Sequence, residues 1–372
     1  MSTPDVDRIS APTQPVFRGL GRRRFLQSSA ALASVSLLAG CSRLGGPPWV
    51  EKPMPKIGTL AVNNPLVADW MQVWEEHFAG LGHVDGQTVR IERKVAPGNA
   101  QLDELAAQLA ASEVDVIMAA GWTATMAAKT ATMATAGHRR QPIPIVSVTS
   151  DPVGSDPPLV DSFPRPGGNI TGVTTMSVRL AQKRVEVIKD AIPGLQNTAI
   201  IWNAEIPDRA IELGETERAA TSLGLKVLSL PVKSADDFEA AFATAAAHQT
   251  HAMFLLFDQM TFPGAASPPP GTSDPVSEPL AALMIQCRMP AVCDIMQWAE
   301  SMGGLMTYGP DFHGLFRRAA EMVDKVMGGA KPADIPIEQP GRFFLTVNQR
   351  VAAAIGLEVP ASTLKNADHI YQ

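Results

Sequence analysis

Short, nearly continuous apolar runs alternate with amphipathic helical stretches along most of this chain. That alternation constrains the fold more than any other feature. Lys56-Ile57-Gly58-Thr59-Leu60-Ala61-Val62 reads as a strand, broken by Asn63-Asn64-Pro65. A helix is expected from about Leu66 to Leu81, because Trp70, Val73, Trp74 and Phe78 recur at helical spacing. Thr88 to Val95 is a second strand, and Leu102 to Ala111 a helix with Leu102, Leu105 and Leu109 on one face. Val114 to Ala120 is an apolar strand ending at Gly121, Trp122 to Ala136 is helical, and Ile143 to Val148 is again a strand. Strands that are apolar throughout are covered on both faces. That is the signature of a parallel sheet flanked by helices, so the fold class is α/β.

The alternation pauses once, at Ser150-Asp151-Pro152-Val153-Gly154 and Arg165-Pro166-Gly167-Gly168-Asn169-Ile170-Thr171-Gly172-Val173. The first segment is a turn in which Asp151 can hydrogen-bond its own backbone and Pro152 fixes φ. After Val173 the alternation starts afresh. Helices are expected at about Leu180–Ile192, Pro207–Leu223, Asp236–His248 (capped by Ser234) and Leu280–Cys287. Strands are expected at Thr198–Trp202, Leu225–Leu230, Ala252–Phe257 and Ala291–Ile295. Two similar halves suggest a duplicated architecture, although no residue-level repeat is visible. The expected division is a lobe 1 of 56–172 with about 305–345, and a lobe 2 of 173–304. The last helices, within 346–372, fit either lobe. Thr261 to Pro279, rich in Pro, Gly and Ser, reads as an exposed insertion.

With 372 residues, the length fits about two domains. The first 40 residues carry five Arg and two Asp, so the remainder holds 26 basic against 35 acidic side chains, about −9. An acidic body argues against a nucleic-acid groove, which needs a basic face. Arg22-Arg23-Arg24-Phe25-Leu26-Gln27 precedes a charge-free, weakly apolar run from Ser28 to Gly40 that is too short to span a bilayer. It ends Leu37-Leu38-Ala39-Gly40-Cys41. The paired arginines resemble a twin-arginine export signal, and Leu-Ala-Gly-Cys resembles a lipobox. Residues 1–40 are therefore expected to be a signal peptide, Cys41 the lipidated residue, and 41–55 a tether on the periplasmic side of a membrane, since more than one acyl chain anchors stably. Cys287 and Cys293 remain; two buried thiols fit their positions better than a bridge.

In open α/β sheets, ligands bind beyond the carboxyl ends of the strands. The loops there carry Asn64, Trp122 with Thr123, Ser150 with Asp151, Asn203, Asp258 and Asp294. Thr123 opens a helix whose free N–H groups suit a carboxylate. Asp151 or Asp258 suits an ammonium, and Trp122, Trp202 and Tyr308 suit an aromatic wall. Each of these residues is also an ordinary cap, turn or core residue, so the expectation rests on their convergence. Catalytic patterns are missing: there is no Gly-x-Gly-x-x-Gly, Walker-A loop, Gly-x-Ser-x-Gly or His-Glu-x-x-His. His248 and His251 have no third metal ligand near them in sequence. No cofactor or metal is expected.

The segments Ser150–Gly154 and Arg165–Val173 resemble the tryptophan/tyrosine-type substrate-binding proteins of ABC transporters. So do Gly303-Gly304-Leu305-Met306-Thr307-Tyr308-Gly309-Pro310-Asp311, Arg317-Arg318-Ala319-Ala320 with Val323-Asp324-Lys325, and Gly329 to Pro340. The similarity runs from about Lys56 to the C-terminus. It departs from the family's pattern at Trp122, at Gln297-Trp298 and in the loop from Asp258 to Pro279. The resemblance implies two Rossmann-like lobes of the type I periplasmic binding fold, hinged by crossover strands and closing on a small solute. An amino acid, aromatic ones included, or a related carboxylate is the expected ligand. The expected partners are an ABC permease with its ATPase, and no catalysis is implied. A periplasmic sensor of the same fold and an exported cofactor-containing enzyme are the alternatives.

Overall fold

The structure, a computed structural model, describes residues 54–135, 141–233, 235–256, 279–300 and 303–372. The expected leader, Cys41, the tether through residue 53, Ser234, Asp258 and nearly all of the expected insertion lie outside the described residues.

Five parallel strands form the first sheet: β1 (Lys56–Val62), β2 (Arg90–Ala96), β3 (Val116–Ala120), β4 (Ile145–Thr149) and β5 (Ile170–Thr174). Their order across the sheet is β2-β1-β3-β4-β5. Helices α1 (Pro65–Gly80), α2 (Leu102–Ala111) and α3 (Trp122–Thr135) connect them. Every residue of β3, β4 and β5 is buried, as continuous apolar runs require. Asn64 starts α1: its side-chain oxygen accepts from the N–H groups of Leu66 and Val67 at 2.9 and 3.3 Å, and Pro65 occupies the first helical position.

The second half continues with α4 (Ala181–Ala191), β6 (Asn197–Asn203), α5 (Pro207–Ser222), β7 (Lys226–Val232), α6 (Phe238–Ala247), β8 (Ala252–Leu255), α7 (Pro279–Gln286), β9 (Ala291–Cys293) and α8 (Met296–Glu300). The tail adds β10 (Met306–Pro310), α9 (Phe312–Met327), β11 (Phe343–Asn348), α10 (Gln349–Ile355), α11 (Ala361–Asn366) and β12 (His369–Tyr371). The second sheet runs β12-β11-β10-β9-β8-β6-β7. Its stretch from β7 to β10 repeats the 2-1-3-4-5 order of the first sheet, so the duplication seen in the pattern is a duplication of topology.

The tail corrects one expectation. Strands 306–310 and 343–348 pair within the second sheet, not the first. Helix α9 returns to lobe 1, where it packs against α1, β3, β4 and β5. The chain thus leaves the second sheet at the carboxyl end of β10, crosses to lobe 1 for α9 and comes back from the same side. β11 must therefore run antiparallel to β10, as observed. On the way back, residues 335–338 lie beside β5: Glu338 bridges Val173 in parallel register, and Thr171 donates to the Ile335 carbonyl at 2.8 Å. The lobes are therefore joined by three chain crossings, after β5, after β10 and before β11.

The glycine-rich motif before β5 has a local cause. Asn169 is buried and donates to the Thr132 hydroxyl at 3.0 Å and the Ile143 carbonyl at 2.7 Å, fastening the turn under β4. Gly172 has φ +148, and a Cβ there would lie 2.0 Å from the Ser147 carbonyl oxygen. Only glycine lets β5 come this close to β4. Cys287 and Cys293 are both free; Cys293 is buried as expected, whereas Cys287 is exposed just past the end of α7.

Candidate functional site

The carboxyl ends of both sheets meet at one cavity. It holds about 640 Å³ of space counted out to its open mouth. Lobe 1 contributes Gly121, Trp122 and Thr123 from the β3–α3 turn and Val148, Thr149 and Ser150 from the end of β4. Lobe 2 contributes Thr175 and Ser177 from the first crossing, Ile206 and Arg209 from the start of α5, and Asp294 after β9.

One wall is aromatic. Trp70 of α1 stacks on Phe312 of α9 with ring centroids 4.4 Å apart and planes 18° from parallel, and Phe316 lies 5.7 Å from the same indole. All three line the cavity. Sequence reading found Trp70 as a helix-face residue but not as a wall, because its partners lie more than 200 residues away.

Ser177, Arg209 and Asp294 belong to a buried ionic network within lobe 2. The Ser177 hydroxyl lies between Asp294 Oδ2, with which it shares a short hydrogen bond, and Glu212 Oε1 at 3.1 Å. Glu212 also accepts from Arg184 Nη2 and Arg209 Nη1, both at 2.5 Å. Arg184 donates further to the Ser177 carbonyl at 2.7 Å. All five side chains are at least nine-tenths buried. Two guanidinium groups face two carboxylates, which is how charges are tolerated away from water. Asp294 is set in place by its backbone. A Cβ on Gly309 would fall 1.8 Å from the Asp294 carbonyl oxygen, so β10 passes close behind it only because residue 309 is glycine. Next to it, burial pushes the Cys293 thiol well above its ordinary value, leaving it protonated and inert.

Three cavity-lining residues carry buried polar atoms with no hydrogen-bond partner among the described residues: Trp122 Nε1, Thr149 Oγ1 and Asp294 Oδ1. Such atoms are costly unless something else satisfies them. The first turn of α3, whose N–H groups have no acceptor within the helix, opens at the same cavity.

Of the residues expected at the site, Trp122, Thr123, Ser150 and Asp294 come together here. Asp258 lies outside the described residues, and the other described ones do not line it. Asp151 is consumed by its own turn, its Oδ1 accepting from Val153 N at 3.2 Å and Gly154 N at 3.0 Å. Asn64 caps α1. Asn203 accepts from Glu205 N at 2.9 Å, a turn beside the cavity rather than a wall of it. Trp202 donates to the Ser229 hydroxyl on neighbouring β7 at 2.8 Å. Tyr308 points to the other face of the second sheet, where it lies 6.2 Å from Phe343 in a separate groove. The residues missed are Ser177, Arg184, Arg209, Glu212, Phe312 and Phe316. Arg209 and Glu212 lie one helical turn apart at the start of the helix that follows a strand-end loop, and that spacing was the available signal.

Among known proteins, the chain is similar to the tyrosine-binding protein of Clostridioides difficile, 21% identical over 339 residues that make up 88% of this chain and 91% of that one. Its fold matches a conserved domain protein of Vibrio cholerae (TM-score 0.72, 21% identity, 85% of this chain and 99% of the other). It also matches an ABC domain from Streptococcus pneumoniae solved with L-Trp (TM-score 0.71, 24% identity, the same shares). The ligand-free, open form of a substrate-binding protein with adhesive properties from Clostridium difficile matches at TM-score 0.59 and 20% identity, over 86% of this chain and 99% of that one. These likenesses establish the type I periplasmic binding fold of two α/β lobes. Residues 62–371 match the ABC transporter substrate binding protein family across most of the chain, and the chain belongs to that family.

Proposed function

We propose that this chain captures an amino acid with an aromatic side chain between its lobes and delivers it to an ABC permease driven by its ATPase. The observation that carries this reading is the cavity itself: an aromatic wall at Trp70, Phe312 and Phe316, and polar atoms at Trp122, Thr149 and Asp294 without partners among the described residues. A ligand that fits has a flat apolar body and a head bearing both donors and acceptors. Burying an aromatic side chain against that wall contributes about 1.5–3 kcal/mol by area, and ring contact about 0.5–1.5 kcal/mol more. The tyrosine-binding relative and the L-Trp complex of a structural neighbour support the same class.

Capture works by population shift. A solute that touches both lobes only when they are shut favours the closed arrangement, by no more than its difference in affinity for the two states. Three chain crossings supply the hinge, and the permease reads the closed form. Residues 1–40 direct export and Cys41 carries the lipid anchor, so capture takes place on the periplasmic side of a membrane. Among the described residues, no helix is long and apolar enough to cross one. Calorimetry of the full chain against L-tryptophan, L-tyrosine and L-phenylalanine tests the binding: micromolar or tighter affinity for at least one supports it, and no heat with any of the three refutes it. Metabolic labelling with a radioactive fatty acid tests the anchor, with incorporation expected in the parent chain and abolished in Cys41→Ala.

A further inference from the structure

The first chain crossing between the lobes carries a backbone conformation that side chains rarely adopt. Among the described residues, Glu113, Met176, Gln249 and Arg288 are the residues other than glycine with positive φ. Glu113, Gln249 and Arg288 each stand just past the end of a helix (α2, α6 and α7), where a left-handed residue is an ordinary terminator. Met176, with φ of 60°, follows no helix; it lies in the crossing between β5 and α4. Its neighbours are fastened to different lobes. On the lobe 1 side, the Thr175 N–H donates to the Thr149 carbonyl at 2.9 Å. The Thr174 hydroxyl donates to the Ser150 carbonyl at 2.6 Å and accepts from the Met176 N–H at 3.1 Å. On the lobe 2 side, the Ser177 hydroxyl bonds Asp294 and Glu212, and its carbonyl accepts from Arg184. One residue therefore separates backbone held by lobe 1 from backbone held by lobe 2. The other two crossings have ordinary backbone: Asp311 has φ −73° and ψ 101°, and no residue from 339 to 342 has a positive φ.

We propose that Met176 is the pivot of the first crossing, and that its aversion to positive φ sets the resting balance between the lobe arrangement seen here and the alternative one. This goes beyond the capture by closure proposed above and rests on it. Turning one lobe against the other must turn the chain at residue 176, because the residues on either side are tied down. A Cβ disfavours the left-handed region and glycine does not, so the present arrangement carries a local strain that a different φ at Met176 releases. Strain of this kind persists only where the surroundings enforce it, and here they are the hydrogen bonds of Thr174, Thr175 and Ser177. Thr149, Ser150, Thr175, Ser177 and Asp294 line the cavity, whereas Met176 does not. Met176 is thus a positioning residue: it acts on the ligand only through the cavity walls joined at it.

The test reads the radius of gyration of the unliganded full chain by small-angle scattering, and its affinity for L-tryptophan, L-tyrosine and L-phenylalanine by calorimetry. Met176→Gly removes the penalty on a left-handed backbone and Met176→Val raises it, so the two should move the radius in opposite directions from the parent. Their affinities should also depart in opposite directions, and differ from each other on the order of tenfold, the bias that a Cβ imposes on this region of φ. Met176→Ala keeps a Cβ and loses the rest of the side chain, so it should match the parent in both readings. Arg288→Gly relieves a positive φ at a helix end; it should alter stability in urea and leave the radius alone, which is all that a merely structural role at residue 176 would do. Gly and Val variants that keep the parent's radius and affinity, or that shift them in the same direction, overturn this inference. So does an Ala variant that behaves like the Gly variant, or an Arg288→Gly protein whose radius moves as far. Failure of all three amino acids to bind the parent overturns the proposed function, and the unliganded radii still decide this inference.

Discussion

Glu212 holds the lobe 2 wall together, and its removal makes the sharpest stability prediction. Its side chain is 1% exposed and bonds two guanidinium groups and one hydroxyl. In Glu212→Leu, Arg184 and Arg209 lose the carboxylate they share, and Arg184 has only 3% of its side chain in water. Removing one member of a buried pair costs about 3–5 kcal/mol, because the charge left behind is uncompensated. A typical domain has about 5–15 kcal/mol in total, so the loss is a large fraction of the whole. Arg184→Met is the informative comparison. There Glu212 keeps Arg209 as an ion-pair partner, so no carboxylate is orphaned, and the expected cost is about 1–3 kcal/mol. Urea unfolding followed by circular dichroism at neutral pH measures both. The predicted order is parent, Arg184→Met, Glu212→Leu. A Glu212→Leu protein within about 1 kcal/mol of the parent, or more stable than Arg184→Met, refutes the assignment of this network as the charge-balanced support of the site.

Further outcomes follow from other contacts. The Arg318 guanidinium beside Glu338 holds that carboxyl below the usual carboxylate range, mainly through their hydrogen bonds. A depressed folded value means the stabilisation is present above the unfolded-state value of 4.5 and is lost as pH falls through the folded one. Because Glu338 is one-third exposed, the contribution at neutral pH is about 1 kcal/mol after screening. Glu338→Gln should therefore melt lower than the parent at neutral pH and converge with it in acid; a gap that widens in acid contradicts the sign. In a Cys41→Ser protein, a thiol-reactive dye should label exposed Cys287 in the native state and buried Cys293 only after unfolding, so two thiols reacting natively would contradict the burial. Gly309→Ala places a Cβ 1.8 Å from the Asp294 carbonyl. It should cost about 1–3 kcal/mol in urea unfolding and weaken aromatic amino-acid binding, and a protein unchanged in both respects would show that this close approach does not matter.

The sheets were legible because β1, β3, β4 and β6 are largely apolar runs of strand length bounded by Asn, Gly or Pro, a pattern that burial on both faces explains. The tail was not. Met306–Pro310 and Phe343–Asn348 would read the same in either sheet, and only pairing with β9 decides the matter. Trp122, Thr123, Ser150 and Asp294 reach the cavity because a strand's carboxyl end is a place that sequence order specifies. Asn64, Asp151 and Asn203 stand at similar ends, but a short polar side chain there caps its own turn as readily as it meets a ligand. Tyr308 shows the cost of strand alternation, since a residue on the wrong face of β10 cannot reach the cleft. The ionic wall escaped because Ser177, Arg184, Arg209 and Glu212 are each unremarkable in sequence. Ser177 and Asp294, 117 residues apart, meet only in the folded chain.

The most direct test is a crystal structure of the full chain grown with the aromatic amino acid it binds most tightly. The account predicts a ligand in the interlobe cavity, its ring against Trp70 and Phe312 and its polar head between Asp294 and the turn at Trp122 and Thr123. A ligand bound elsewhere, such as the groove around Tyr308, or one inverted with its ring against Asp294, would contradict it.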